Sequence, residues 1–420
     1  MYQTTKFPNG LTVATATMPH MASVSVGIWV GVGGRYEPAP LNGVSHFIEH
    51  MLFKGTRKRS SREISQAVEG IGGYLNAFTG EESTCFYSKA CYDRFEELLD
   101  VLTDMFLNSE FDPHEIDKER SVIKEELAMY LDQPHQHVQE MLNELLWPNQ
   151  PLGRSLTGSA ETLDSIDRLE MLDFQSRNYV TGCTLVTVAG RLDHAKIVKA
   201  VAKLAPRFAQ GGAPRFQPAQ NGQTAPRCRL FTKETEQTQL ALGFRTCSRH
   251  HPERYALRIL NTLLGDNMSS RLFQVVREDY GLAYSIASSV SFFDDTGDLT
   301  ITAGLDTDHL PKALKLVIRE LRRLVDEAPS AAELRRARDY LIGQLDLSLE
   351  NTENQMMWLG EQLLGYGQII SAAEIKRRLA KVEPREVSAL ARRFFRTEEI
   401  NLALVSPLKK PNGLSKLLKI

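Results

Sequence analysis

Hydrophobic positions along the 420-residue chain follow two rhythms. Alternating or short β-branched apolar runs predict strands over 11–18, 23–31 and twice within 73–90. The longest apolar run, "VSVGIWVGVGG" at 24–34, is too short to span a bilayer and reads as a buried strand. Stripes at the 3.6-residue period predict helices over 42–53 and 61–71, near 92–107 and through 113–146.

After "RFAQGGAPRFQPAQNGQTAP" at 207–226 the same order of elements returns. Strands are predicted near 227–233 and 237–245, helices near 252–264 and 269–279, strands near 284–293 and 298–305, and helices near 309–327 and 330–350. A repeat of this length suggests a duplicated domain rather than a solenoid. The expectation is a first domain over 1–210, a linker over 211–226 and a homologous second domain over 227–420. Each is α+β, a mainly antiparallel sheet with helices gathered on one side. Laying "EIDKERSVIKEEL" (115–127) on "ELRRARDYLIGQL" (333–345) keeps Glu115 over Glu333, Ile123 over Leu341 and Leu127 over Leu345. Glu119, however, falls on Ala337 and Glu126 on Gln344, so only the first half carries these two carboxylates.

Composition narrows the function classes. At 42% hydrophobic and 24% charged residues with net charge −2, the chain is an ordinary globular protein with no polybasic footprint for nucleic acid. The basic run Arg57-Lys58-Arg59 reads as a solvated loop. Five scattered cysteines without a C-x-x-C pair argue against disulfides or a thiolate zinc site and for a reducing compartment. The polar start leads straight into a strand, so a cytoplasmic protein without membrane attachment is expected.

The candidate chemistry begins at "GVSHFIEHMLFKGT", residues 43–56. On a helix, Val44, Phe47, Ile48, Met51 and Leu52 share one face within about 80°, whereas His46, Glu49 and His50 cluster opposite. Asn42 is the expected N-cap and Gly55 the expected stop. Two histidines one turn apart can grip one ion, with the glutamate between them left to handle a proton. A solvated polar face is the bland alternative, and the H-x-x-E-H pattern disfavours it. A third ligand comes from 113–131, where Ile116, Val122, Ile123, Leu127 and Tyr130 form an apolar arc holding Glu119 and Glu126. Carboxylates buried in such a stripe need cations or a metal. Glu125 escapes to the flank, and Glu115 is explained by an Asp112 N-cap. His46, His50 and Glu126 thus make a two-histidine, one-carboxylate set for a single zinc ion, with Glu119 placed to orient a histidine. Manganese or cobalt suit the same donors.

With "HFIEH" and "ERSVIKEE" in view, the chain resembles the inverzincins, the inverted zinc-motif peptidases that include pitrilysin, insulin-degrading enzyme and mitochondrial processing peptidase. The resemblance covers the whole chain and is closest to the short bacterial processing-peptidase-like branch. It implies that Glu126, 76 residues after His50, is the third ligand and Glu119 the accessory glutamate. It implies that "GGYLNAFTGEESTCFYS" (72–88) binds a peptide as an added strand through Asn76, Ala77 and Phe78. It also implies that Arg277 and Tyr284 of "LFQVVREDYGLAYSI" complete the active site.

The activity so implied is that of a zinc endopeptidase with Glu49 as general base, working as a homodimer or beside a homologous subunit. The glycine-rich loop of the processing peptidase's non-catalytic subunit is not evident, which speaks against dedicated presequence cleavage. The alternative is a non-catalytic scaffold of the same fold, as in respiratory-complex core proteins. That reading requires eroded ligands, and all of them are present.

Overall fold

A computed structural model describes residues 2–411 and 413–420. The first half runs β1 (Tyr2–Lys6), β2 (Thr12–Thr17), β3 (Ser23–Val30), α1 (Val44–Leu52), α2 (Ser61–Glu69), β4 (Tyr74–Thr79), β5 (Thr84–Cys91), α3 (Phe95–Asn108), α4 (Pro113–Asp132), α5 (Pro134–Leu146), α6 (Ala160–Ser165), α7 (Arg168–Asn178), β6 (Thr184–Gly190) and α8 (His194–Leu204). The second half runs β7 (Arg227–Thr232), β8 (Thr238–Thr246), α9 (Arg254–Leu264), a π-helical turn (Phe273–Asp279), β9 (Ala283–Phe292), β10 (Gly297–Leu305), α10 (Leu310–Asp326), α11 (Ala331–Ser348), α12 (Thr352–Tyr366), α13 (Ala372–Lys381), α14 (Pro384–Phe394) and β11 (Asn401–Ser406). The helical stretch predicted over 113–146 is two helices. Pro134 starts the second at a position where a missing N–H costs nothing.

The duplication is visible in the sheets. The first has the order β1-β2-β6-β3-β5-β4 and the second β7-β11-β8-β10-β9. Without β1, strand for strand, the two orders coincide. Each contains one parallel pair, β2 with β6 and β7 with β11, in otherwise antiparallel ladders. The central strands β6 and β11 are absent from the sequence-based element list. Every residue of both is buried, so neither shows the alternation that marks a half-exposed strand.

The chain forms two compact units that exchange segments. The first comprises 1–128, 154–217 and 347–369, and the second 129–153, 218–346 and 370–420. The exchanged segments are α5 and α12, which occupy equivalent places at the offset of 218 that aligns α4 with α11. In the first unit α12 lies on the face of the sheet opposite the main core, where Met356 and Leu359 pack on Ala14, Ala16, Trp29, Cys85, Leu185 and Ala189. In the second unit α5 does the same with Val138, Met141 and Leu142 against Ala241, Ala403 and Val405. The one-sided arrangement of helices therefore gains one helix on the other face of each sheet. Small residues on that face let the helix axis come close.

The stretch read as a linker is bonded along its length. In the first unit Thr181 N–H donates to Ala209 O at 2.8 Å, and the Arg35 guanidinium lies 3.9 Å from the Phe216 ring centre. In the second, Arg245 donates to Gln220 O and Asn221 Oδ1 at 2.9 and 2.8 Å. The basic run is also not simply solvated. Arg59 is largely covered and pairs with Asp100 and Asp104, while Lys58 bonds Asp100. Among the described residues no helix is long and apolar enough to cross a membrane.

The seating of α12 has a sharp test. A Cβ on Gly360 would run into the indole ring of Trp29. Gly360→Ala is expected to destabilise the protein by about 1–3 kcal/mol through overpacking, seen as a lowered thermal midpoint. An unchanged midpoint means that α12 does not lie on Trp29.

Candidate metal centre

The site is built on α1, whose start depends on a residue the sequence reading did not single out. Gly43 precedes the helix at φ +96°, a left-handed conformation, with the Thr157 carbonyl against the place of its missing Cβ. The helix is capped by buried Glu37, which accepts from Gly43 N–H at 2.7 Å and Ser45 N–H at 2.8 Å. Burial raises the Glu37 carboxyl above its ordinary value, and these hydrogen bonds pull it back. A carboxylate here also meets the positive end of the helix. Asn42, the expected cap, instead donates its amide to Glu37 and to Ser155 O. The helix ends at Phe53 rather than Gly55, with Phe53 N–H donating to His50 O at 3.1 Å. Val44, Phe47, Ile48, Met51 and Leu52 are fully buried, which turns His46, Glu49 and His50 away from the core.

Facing them is α4. Glu119 is buried, as expected, but Glu126 is only half-buried, its side chain 30% exposed. Val122, assigned to the apolar arc, is exposed as well. The buried residues of α4 are Ile116, Glu119 and Ile123, and beyond Ile123 the arc is only partly covered. Glu126 therefore needs no partner to survive folding and remains accessible.

One ligand atom from each of His46, His50 and Glu126 lies within 4.8 Å of the others. Glu126 Oε2 stands 3.9 Å from His46 Nε2 and 3.6 Å from His50 Nε2. These separations exceed a hydrogen bond and leave space for an ion between the atoms. The two imidazoles sit edge to face with centroids 4.6 Å apart. Glu119 Oε2 is 3.0 Å from His50 Nδ1, which leaves Nε2 of that ring facing Glu126. Burial, and then the neighbouring His50, lower the His46 pKa to about 4, so its ring is neutral at physiological pH. His46 Nδ1 is buried without a hydrogen-bond partner. Two imidazoles, one accessible carboxylate and ligand atoms set around a gap fit a divalent ion.

Glu49 lies beside this set. Burial pushes its carboxyl above the ordinary value, Glu126 adds to the rise, and Thr79 and His50 oppose it. The opposing hydrogen bond comes from Thr79 Oγ1, 2.5 Å from Glu49 Oε2. Thr79 also escaped the sequence reading, although it directly follows Asn76, Ala77 and Phe78. These four residues end β4, the free edge of the first sheet. Asn76 and Phe78 are exposed, Ala77 is half-buried, and Ala77 N–H donates to Asn76 Oδ1 at 2.8 Å.

Arg277 and Tyr284 belong to the second unit. Arg277 lies on the π-helical turn, its guanidinium 4.7 Å from the Phe273 ring centre and 5.9 Å from that of Tyr284. Tyr284 is 77% exposed at the start of β9, the edge strand that matches β4 in the duplicated topology.

Comparison with known proteins identifies the family. Residues 12–160 match the family model described as insulinase (peptidase family M16), and 165–341 the model of the peptidase M16 inactive domain. An uncharacterized zinc protease of Bacillus subtilis is 38% identical over 95% of this chain and 97% of its own. One from Mycobacterium tuberculosis is 35% identical over 99% and 95%. The crystal structure of a protease from Helicobacter pylori superposes with a TM-score of 0.90 at 19% identity, covering 97% of this chain and all of that one, a likeness of fold. With both family models matched in sequence and relatives this similar over nearly the full length, the chain belongs to the M16 peptidase family.

Proposed function

We propose that the protein is a zinc-dependent endopeptidase, with one ion per chain held by His46, His50 and Glu126. The observation that carries this reading is the convergence of those three side chains from two separate helices, with Glu49 alongside. The names of its relatives support it. Zinc, when bound, supplies Lewis acidity toward water and the scissile carbonyl. Glu119 holds His50 by Nδ1, which leaves Nε2 as the atom that would hold the ion. Glu49, steadied by Thr79, accepts the proton of the attacking water and returns it to the leaving amine. Its raised carboxyl pKa brings it nearer the working pH than an exposed glutamate.

Peptide substrates are proposed to add to the free edge of β4 by main-chain hydrogen bonds, beside Asn76, Ala77 and Phe78. This suits many sequences, because backbone rather than side chains carries the recognition. Arg277 and Tyr284 would steady the developing oxyanion from the second unit of a partner subunit in a homodimer, or in a heterodimer with a homologous subunit. Five free thiols, one of them exposed, favour a reducing compartment, and we place the protein in the cytoplasm.

Three measurements test this reading. Hydrolysis of a quenched peptide library is expected to stop on chelation and return with zinc, and to be absent in His46→Ala. Cleavage that survives chelation overturns the metal requirement. Glu49→Gln is expected to keep its zinc and lose at least about 100-fold in kcat, and a wild-type rate removes Glu49 from the role of base. Mixing Glu49→Gln with Tyr284→Phe protein is expected to restore activity by sharing sites between subunits. No recovery from dimers shown to exchange means that Tyr284 acts within its own chain.

A further inference from the structure

The helix that carries the candidate ligands continues into one more functional position. Lys54 follows His50 by four residues, in the turn just past the end of α1, with Lys54 N–H donating to Met51 O at 3.1 Å. Its ammonium lies 2.6 Å from Glu119 Oε1, while the other oxygen of that carboxylate is the one 3.0 Å from His50 Nδ1. Each oxygen of Glu119 thus has one donor from the same stretch of chain. The Glu119 side chain is 7% exposed, and a carboxylate so covered is costly without a cation. Of the other charged groups nearby on α4, Glu115 has its own bond to Lys118 at 2.6 Å. Lys118 is therefore engaged elsewhere, and among the described residues the lysine paired with Glu119 is Lys54.

We propose that Lys54 is a positioning residue of the metal centre, acting on His50 through Glu119. A carboxylate held at only one oxygen can rotate about its terminal bond. Held at both, it has a fixed plane, and the hydrogen bond to Nδ1 then fixes both the tautomer and the tilt of the imidazole. His50 is left with Nε2 aimed at the gap beside Glu126. The motif thereby lengthens from H-x-x-E-H to H-x-x-E-H-x-x-x-K, all on one side of α1 and its terminal turn. A second effect works in the opposite direction, since a cation near the site repels a divalent ion. The charge of Glu119 lies against that of Lys54 and offsets it, so orientation is expected to dominate.

The inference rests on the zinc reading, and the test separates the two. Zinc affinity is measured by competition with a chromophoric chelator at one fixed pH, and metal-free folding by circular dichroism and thermal midpoint. The proteins compared are the unaltered chain, His50→Ala, Lys54→Met, Glu119→Gln and the Lys54→Met/Glu119→Gln double variant. Lys54→Met is expected to bind zinc about 10–100-fold more weakly, the range typical of partners that orient a metal ligand. The double variant is expected to bind no more weakly than Glu119→Gln alone, because Lys54 has nothing left to orient. Unchanged or tighter binding by Lys54→Met, or losses that simply add in the double variant, overturns the assignment. If the unaltered chain and His50→Ala bind zinc alike, the metal site itself is refuted. Should Lys54→Met fail to fold, Lys54→Gln replaces it with the same expectations.

Discussion

The site depends on a carboxylate, Glu126, held beside two imidazoles without hydrogen-bonding to either. Four side chains, His46, His50, Glu119 and Glu126, meet between α1 and α4, yet the shortest approach of Glu126 to either ring is 3.6 Å. Hydrogen bonding alone would draw Glu126 onto one of the rings. The helices prevent it, because α1 is fixed from below by five buried apolar residues and at its start by Glu37, and α4 by Ile116 and Ile123. A gap lined by imidazole nitrogen and carboxylate oxygen is favourable chiefly when a cation fills it. The apolar packing thus sets the spacing, and the spacing selects the chemistry.

The second unit shows the same scaffold without that requirement. Where α4 carries Glu119 and Glu126, α11 has Ala337 and Gln344, and Ala337 is buried as an ordinary core residue. Between Arg254 and Leu264, α9 buries every residue except Arg258 and has no open polar face like that of α1. One copy of the duplicated fold kept a face free for chemistry, and the other closed it with packing. The exchange of α5 and α12 gives each unit's sheet its second cover from the other half of the chain, so the two halves are interdependent for folding.

Much of this was legible in the sequence, for identifiable reasons. Amphipathic periodicity located α1 and α4 and separated their polar groups from their apolar ones, because a 3.6-residue stripe survives any tertiary context. It failed at β6 and β11, where every residue is buried, polar ones included, and no in-and-out alternation marks the strand. It overstated the burial of Glu126 and Val122, since a stripe records what a helix can bury and not how far the core extends beneath it. Contacts made across the fold were invisible. Glu37 replaces Asn42 as the cap, Thr79 reaches Glu49 from β4, and Arg59 pairs with acids on α3. None of these pairings leaves a spacing to read along the chain.

The central claim is that His46, His50 and Glu126 hold one zinc ion. It is tested most directly by zinc-edge X-ray absorption of the purified, zinc-loaded protein, alone and as the His50→Ala variant. The account predicts two imidazole nitrogens with oxygen completing the shell, no sulfur, and loss of one imidazole contribution or of the metal in the variant. A thiolate signal, or a spectrum and zinc content unchanged by removal of His50, would contradict it.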